Sequence, residues 1–107
     1  MASEVADEMT MEPSHPGAII RETIIPALGM TIKDVAAHLG VSRAALSELV
    51  NEKRSVSLDM ARRLGAAFGN GARFWIALQM QHDLWHAEHS EQAKRIAVKP
   101  LKARKAA

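Results

Sequence analysis

TIKDVAAHLGVSRAALSELVNEKRS, residues 31–55, places two short helical runs on either side of Leu39-Gly40-Val41-Ser42. Thr31 offers a hydroxyl to cap the first run, and Asp34 stands three residues on, where a capping box usually carries Glu or Gln. Ile32, Val35, Ala36 and Leu39 then follow at i, i+3, i+4 and i+7, the spacing of one buried helical face. Gly40 ends the run, because glycine enters the left-handed conformation at the lowest cost. Ser42 caps a second helix almost at once, and Ala45, Leu46, Leu49 and Val50 make its inward stripe. Arg43, Ser47 and Asn51 are left at i, i+4 and i+8 on the opposite side. A short helix, a glycine bend and a second helix with a polar first turn predict a helix-turn-helix.

Three further helices are read outward from this unit. Upstream, Pro16 suits a helix start, Ile19, Ile20 and Ile24 face inward, and Pro26 is expected to stop the helix. Downstream, Ser57 caps a helix with Leu58, Ala61, Leu64 and Phe68 inside and Arg62 and Arg63 in water, closed by Gly69. A longer last helix runs from about Gly71 to the late eighties, with Asn70 as its expected cap. The prediction is an all-α fold of five helices. With 107 residues there is room for one core. The 48% apolar and 4% aromatic content suits a helical bundle better than a β-rich fold.

Charge divides the chain further. Glu4, Asp7, Glu8 and Glu12 precede His15 with no base among them, and Lys94, Arg95, Lys99, Lys102, Arg104 and Lys105 follow Ala93 with no acid. Residues 1–14 are therefore read as a flexible acidic segment, 15–93 as the folded domain and 94–107 as a flexible basic tail. The basic tail is either a solvated end or a non-specific phosphate contact. No cysteine is present, which excludes disulfides and thiolate metal sites. No stretch reads as a membrane span or a signal segment, so the expected location is the cytoplasm, in association with the nucleoid.

The polar side of the second helix of the turn has the form of a reading surface for the DNA major groove, which admits one helix and meets its first turns. Arg43 can fork onto guanine, Ala44 can touch a thymine methyl, and Glu48 can accept from the cytosine amino group or repel wrong sites; Ser47 lies between them. The helix starts at Thr31 and Ser42 turn backbone N–H groups toward phosphate. Asn51, Lys53 and Arg54 would hold the phosphodiester backbone, with Asn51 alternatively ending the helix in the left-handed conformation. For each of these residues the plain alternative is a solvated surface position.

On the last helix, Phe74, Trp75, Leu78 and Trp85 form one apolar stripe and Ile76, Met80 and Leu84 another, nearly opposite. One stripe belongs in the core; the other is assigned to a partner, a second copy about a two-fold axis. His82, His86 and His89 share a face, but three ligands on one helix with no distant fourth make a poor zinc site, so neither metal nor cofactor is expected. No nucleophile elbow or phosphate loop is present, and no catalytic residue is assigned.

These residues resemble the HigA-type antitoxins of the Cro/repressor-like (XRE) helix-turn-helix group. The resemblance runs from His15 to Trp85 and rests on HPG (15–17), PALGMT (26–31), NEKRSVS (51–57) and FWIALQ (74–79). It implies a five-helix, lambda-repressor-like domain that dimerises on a palindromic operator in double-stranded DNA. It also implies repression of its own operon and neutralisation of a HigB-type toxin, an mRNA endonuclease. Some members of the group regulate transcription with no cognate toxin, and that remains the alternative. Two positions depart from the pattern: Glu52 stands where glycine usually follows the asparagine, and Gly71-Ala72-Arg73 where a Ser-Pro-Glu type start is common.

The second stripe on the last helix predicts a homodimer in solution. Light scattering at micromolar concentration is expected to give twice the chain mass, and a monomer would contradict it.

Overall fold

The structure is a computed structural model that describes residues 11–91 and 95–104. Helix α1 opens as Pro16–Ile19, widens into a π-helical stretch at Ile20–Ile24 and closes as Ile25–Leu28. It is followed by α2 (Ile32–Leu39), α3 (Arg43–Val50), α4 (Leu58–Phe68) and α5 (Ala72–His89), with no strand among the described residues. The all-α expectation and the α2-turn-α3 unit are both met. Residues 1–10 of the acidic segment, and 92–94 and 105–107 around the basic tail, lie outside the described residues.

The core is one cluster. Ile20, Leu46, Leu49, Leu64 and Trp75 are fully buried, and Val35, Ala36, Leu39, Val50, Val56, Met60 and Ala61 surround them. Each large side chain in such a cluster contributes roughly 1.5–3 kcal/mol relative to an exposed one. Both helices of the turn supply several, so burial of their shared face is what pins α2 and α3 to the rest.

The first helix is anchored at its start. His15 is buried, and its Nδ1 accepts the Gly17 N–H at 2.9 Å. A Cβ on Gly17 would lie 1.8 Å from the Leu49 carbonyl oxygen, so only glycine lets α1 meet α3 this closely. The HPG motif is thus a cap followed by a close approach.

Four local expectations are corrected. Pro26 does not stop α1: the Ile25 N–H bonds to the Ile20 carbonyl five residues back, and this wider turn carries the helix past the proline, which has no N–H to offer. The stop is Gly29, at φ +65°. Leu58 is 73% exposed, because the first helical position lies about a quarter-turn from the middle of the buried Met60, Ala61, Leu64 and Gly65 stripe. Asn70 does not cap α5; its Oδ1 accepts from the Trp75 indole N–H at 2.8 Å, and α5 starts after Gly71 with no side-chain cap. The two α5 stripes also divide differently, since Trp75 and Gln79 are buried while Phe74 is 43% exposed. Ile76 packs on the edge of the core, leaving Met80 at 63% and Leu84 at 56% exposed on the outer side.

The histidines of α5 form a ring ladder. His15 meets His82 edge-on at 4.8 Å, and His82 lies 4.3 Å from His86. His89 instead stacks on Trp85 at 4.0 Å, while His86 Nε2 lies 3.0 Å from the Glu12 carboxylate. No group of His, Cys, Asp or Glu among the described residues is placed to hold a metal ion.

Burial, and next the neighbouring His82, push the His15 pKa below the ordinary 6.5, against smaller opposing pulls from Glu52, Asp83 and the Arg54 backbone. The unfolded chain therefore takes up this proton first as pH falls below 6.5, and folding stability falls with it. Urea midpoints should drop between about pH 7.5 and about pH 5.5. His15→Asn, which keeps a cap acceptor without the titration, should drop less, and equal drops would contradict the assignment.

Candidate nucleic-acid interface

The two helices of the turn end alike. At the end of α2 the Val41 N–H bonds to the Ala36 carbonyl at 3.0 Å and the Gly40 N–H to the Ala37 carbonyl at 3.2 Å, with Gly40 at φ +74°. At the end of α3 the Lys53 N–H bonds to the Glu48 carbonyl at 2.8 Å and the Glu52 N–H to the Leu49 carbonyl at 3.0 Å, with Glu52 at φ +61°. Both are Schellman closures around one left-handed residue. Asn51 stays at φ −89°, so Glu52 takes the conformation that glycine would adopt with less strain.

An arginine from outside the unit clamps each end. Arg63 of α4 donates from Nη1 to the Leu39 carbonyl at 2.9 Å and to the Gly40 carbonyl at 3.3 Å, and from Nε to Asp59 at 2.8 Å. Arg21 of α1 donates from Nη1 to the Val50 carbonyl at 2.6 Å and to the Glu52 carboxylate at 3.1 Å. That carboxylate raises the Arg21 pKa above its usual value and secures the strained residue. Helix C-termini attract cations, and these two guanidiniums also satisfy carbonyls that the helices leave open.

The starts of α2 and α3 are capped by side chains. Thr31 Oγ1 accepts the Asp34 N–H at 3.1 Å and Ser42 Oγ the Ala45 N–H at 3.0 Å. The return bond of a full capping box is missing, because the Asp34 carboxylate makes no contact with the Thr31 N–H.

The face of α3 away from the core has the expected order. Arg43, Ala44, Glu48 and Asn51 are exposed and Ser47 is half-buried, while Leu46, Leu49 and Val50 are sealed inside. Asn51 Nδ2 donates to Ser47 Oγ at 3.4 Å. Arg54 is not free: its Nε and Nη2 both donate to Glu48 Oε1, at 3.0 and 2.6 Å. Among the described residues, Arg43 and Lys53 have no charged partner. The loop behind this face is fixed by Gln79 of α5, whose Oε1 accepts the Val56 N–H at 2.8 Å and whose Nε2 donates to Asp83 at 2.8 Å.

Thr31, Ser42, Arg43, Ala44, Ser47, Glu48, Asn51, Lys53 and Arg54 therefore belong to one turn-and-helix unit. The sequence reading missed Arg21, Arg63 and Gln79. Arg63 was assigned to water, since nothing in its spacing announces a carbonyl of another helix as partner. A signal for Gln79 was present, as a polar residue on the inward side of FWIALQ.

A helix-turn-helix family model matches residues 20–75, from α1 into the start of α5. Virulence-associated protein A' of Dichelobacter nodosus is 43% identical over 81 residues, covering 75% of this chain and 70% of that one. A solved structure of Pseudomonas aeruginosa antitoxin HigA with the higBA promoter is 33% identical with a TM-score of 0.77, over 84% of this chain and 99% of that one. Antitoxin GraA in complex with its operator is 35% identical with a TM-score of 0.79, over 87% of this chain and 95% of that one.

Removing the α2 clamp should loosen the turn. Arg63→Ala is expected to cost about 1–2 kcal/mol in urea denaturation, as charged hydrogen bonds to open carbonyls do. Arg62→Ala, one residue away and exposed, should change little. Equal effects would contradict the clamp.

Proposed function

Since the chain belongs to the helix-turn-helix family, we propose that it represses transcription by inserting α3 into the major groove of a specific operator. The observation that carries this is the polar face of α3 beyond the Gly40 bend, where Arg43, Glu48 and Asn51 are exposed and Ser47 half-buried while the leucines behind them are fully buried. The likeness to two antitoxin structures that carry promoter or operator DNA supports it. Arg43 reads a guanine through N7 and O6, Ala44 a thymine methyl, and Ser47 the next base edge. The N–H groups at the Thr31 and Ser42 helix starts, with Asn51 and Lys53, hold phosphates and set the register.

The same reading makes the protein the antitoxin of a HigBA-like pair. It binds the DNA upstream of its own gene and also neutralises a HigB-type mRNA-cleaving toxin. Two copies pair through the outer side of α5, where Met80 and Leu84 are exposed and Ile76 marks the rim. Such a dimer places two reading helices about one DNA turn, ~34 Å, apart and fits a near-palindrome. Its role needs neither catalysis nor a cofactor, and it is exercised on the nucleoid in the cytoplasm. No helix among the described residues is long and apolar enough to cross a membrane.

A gel shift with the duplex upstream of the chain's own gene tests the reading. Tight binding with a steep salt dependence is expected. Arg43→Ala should weaken it by about 1–3 kcal/mol and relax preference at one base pair. An unchanged affinity and preference would remove α3 from the groove.

A further inference from the structure

We infer that Glu48 and Arg54 form a base-conditional latch, in which Glu48 withholds Arg54 from the DNA backbone until a base amino group engages its carboxylate. The inference rests on the DNA-binding reading above and adds a source of specificity to it.

Arg54 directs two donors, Nε at 3.0 Å and Nη2 at 2.6 Å, onto the single oxygen Oε1 of Glu48. The Nε/Nη2 edge of the guanidinium, one of those that can fork a phosphate, is thus turned onto Glu48 in the free protein. The pair is open, with the two side chains 49% and 48% exposed, and ion pairs of this kind are weak enough for a duplex to exchange. Glu48 lies one turn beyond Ala44 on the reading side of α3, so its carboxylate approaches the groove floor when the helix docks. There, cytosine N4 or adenine N6 offers a donor, whereas guanine and thymine edges offer acceptors that a carboxylate cannot bond.

With a matching base, the amino group satisfies Glu48 and Arg54 turns to phosphate. With a wrong base, Glu48 keeps Arg54, and the complex loses a base contact and a phosphate contact together. The Arg21–Glu52 pair lacks this freedom, because Arg21 is also held by the Val50 carbonyl at 2.6 Å. Lys53, which has no charged partner among the described residues, and the helix starts at Thr31 and Ser42 supply the attraction common to all sequences. A plain phosphate contact predicts that losing Arg54 weakens every duplex alike; the latch predicts that the loss falls on the operator.

The test compares wild type, Glu48→Gln and Arg54→Ala on the upstream duplex and on a scrambled duplex of equal length and composition, across a salt series. Glu48→Gln should tighten scrambled binding about three- to tenfold and steepen its salt slope by about one, as one more phosphate contact would. Arg54→Ala should weaken the upstream complex about tenfold and change the scrambled complex by less than about twofold. Both residues are exposed, so thermal melting should match wild type; if Glu48→Gln melts early, Glu48→Ala replaces it with the same expected tightening on the scrambled duplex. The latch is overturned if the Glu48 variants leave scrambled binding and its slope unchanged, or if Arg54→Ala weakens both duplexes equally. Wild type with no preference for the upstream duplex would overturn the DNA-binding reading itself, a result distinct from either of these.

Discussion

The direction of α3 is set at two helix ends. An α-helix leaves its last carbonyls without partners, and a chain that must reverse within a few residues has to satisfy them immediately. Here both helices of the turn close in a Schellman bend, and each closure is held by a guanidinium from a different helix. The α2 end is tied to α4 and the α3 end to α1. The recognition unit is therefore braced from both sides, although the turn itself contains only Gly40, Val41 and Ser42 between the two helices.

Burial and clamping do different things. Leu46, Leu49 and Val50 keep α3 on the core, a non-directional attraction that tolerates small rotations. Hydrogen bonds from Arg21 and Arg63 to named carbonyls do not tolerate them. Glu52 illustrates the balance, because a non-glycine residue at φ +61° carries roughly 1–3 kcal/mol of strain, and its solvent-exposed ion pair with Arg21 offsets only part of it. A glycine at this position would fit the backbone more easily but would take away the Glu52 carboxylate and leave Arg21 with only the longer 3.5 Å pair to Glu22.

Much of this was legible in the residues themselves. Thr31, Ser42 and Ser57 cap where their spacing placed them, and Val35, Ala36, Leu39, Leu46, Leu49 and Val50 are buried as their period requires. Local rules failed where a longer-range demand prevailed. Pro26 was passed by a π-helical widening that no residue pattern marks, and Asn70 turned from its own helix start to the indole of Trp75. Leu58 was placed inside as the first member of a stripe with Ala61, Leu64 and Phe68, whereas at the first position of α4, at the edge of the buried face, it lies in water. The arginine clamps were illegible because their partners are backbone carbonyls 24 and 29 residues away, where side-chain identity carries no information.

The central claim is that the exposed row of α3 is the surface that meets DNA. Amide chemical shifts of the labelled protein titrated with its upstream duplex test it most directly. Shifts concentrated at Thr31 and from Ser42 to Arg54, with α5 little changed, are the expected result; shifts confined to α5 with that stretch silent would contradict the account.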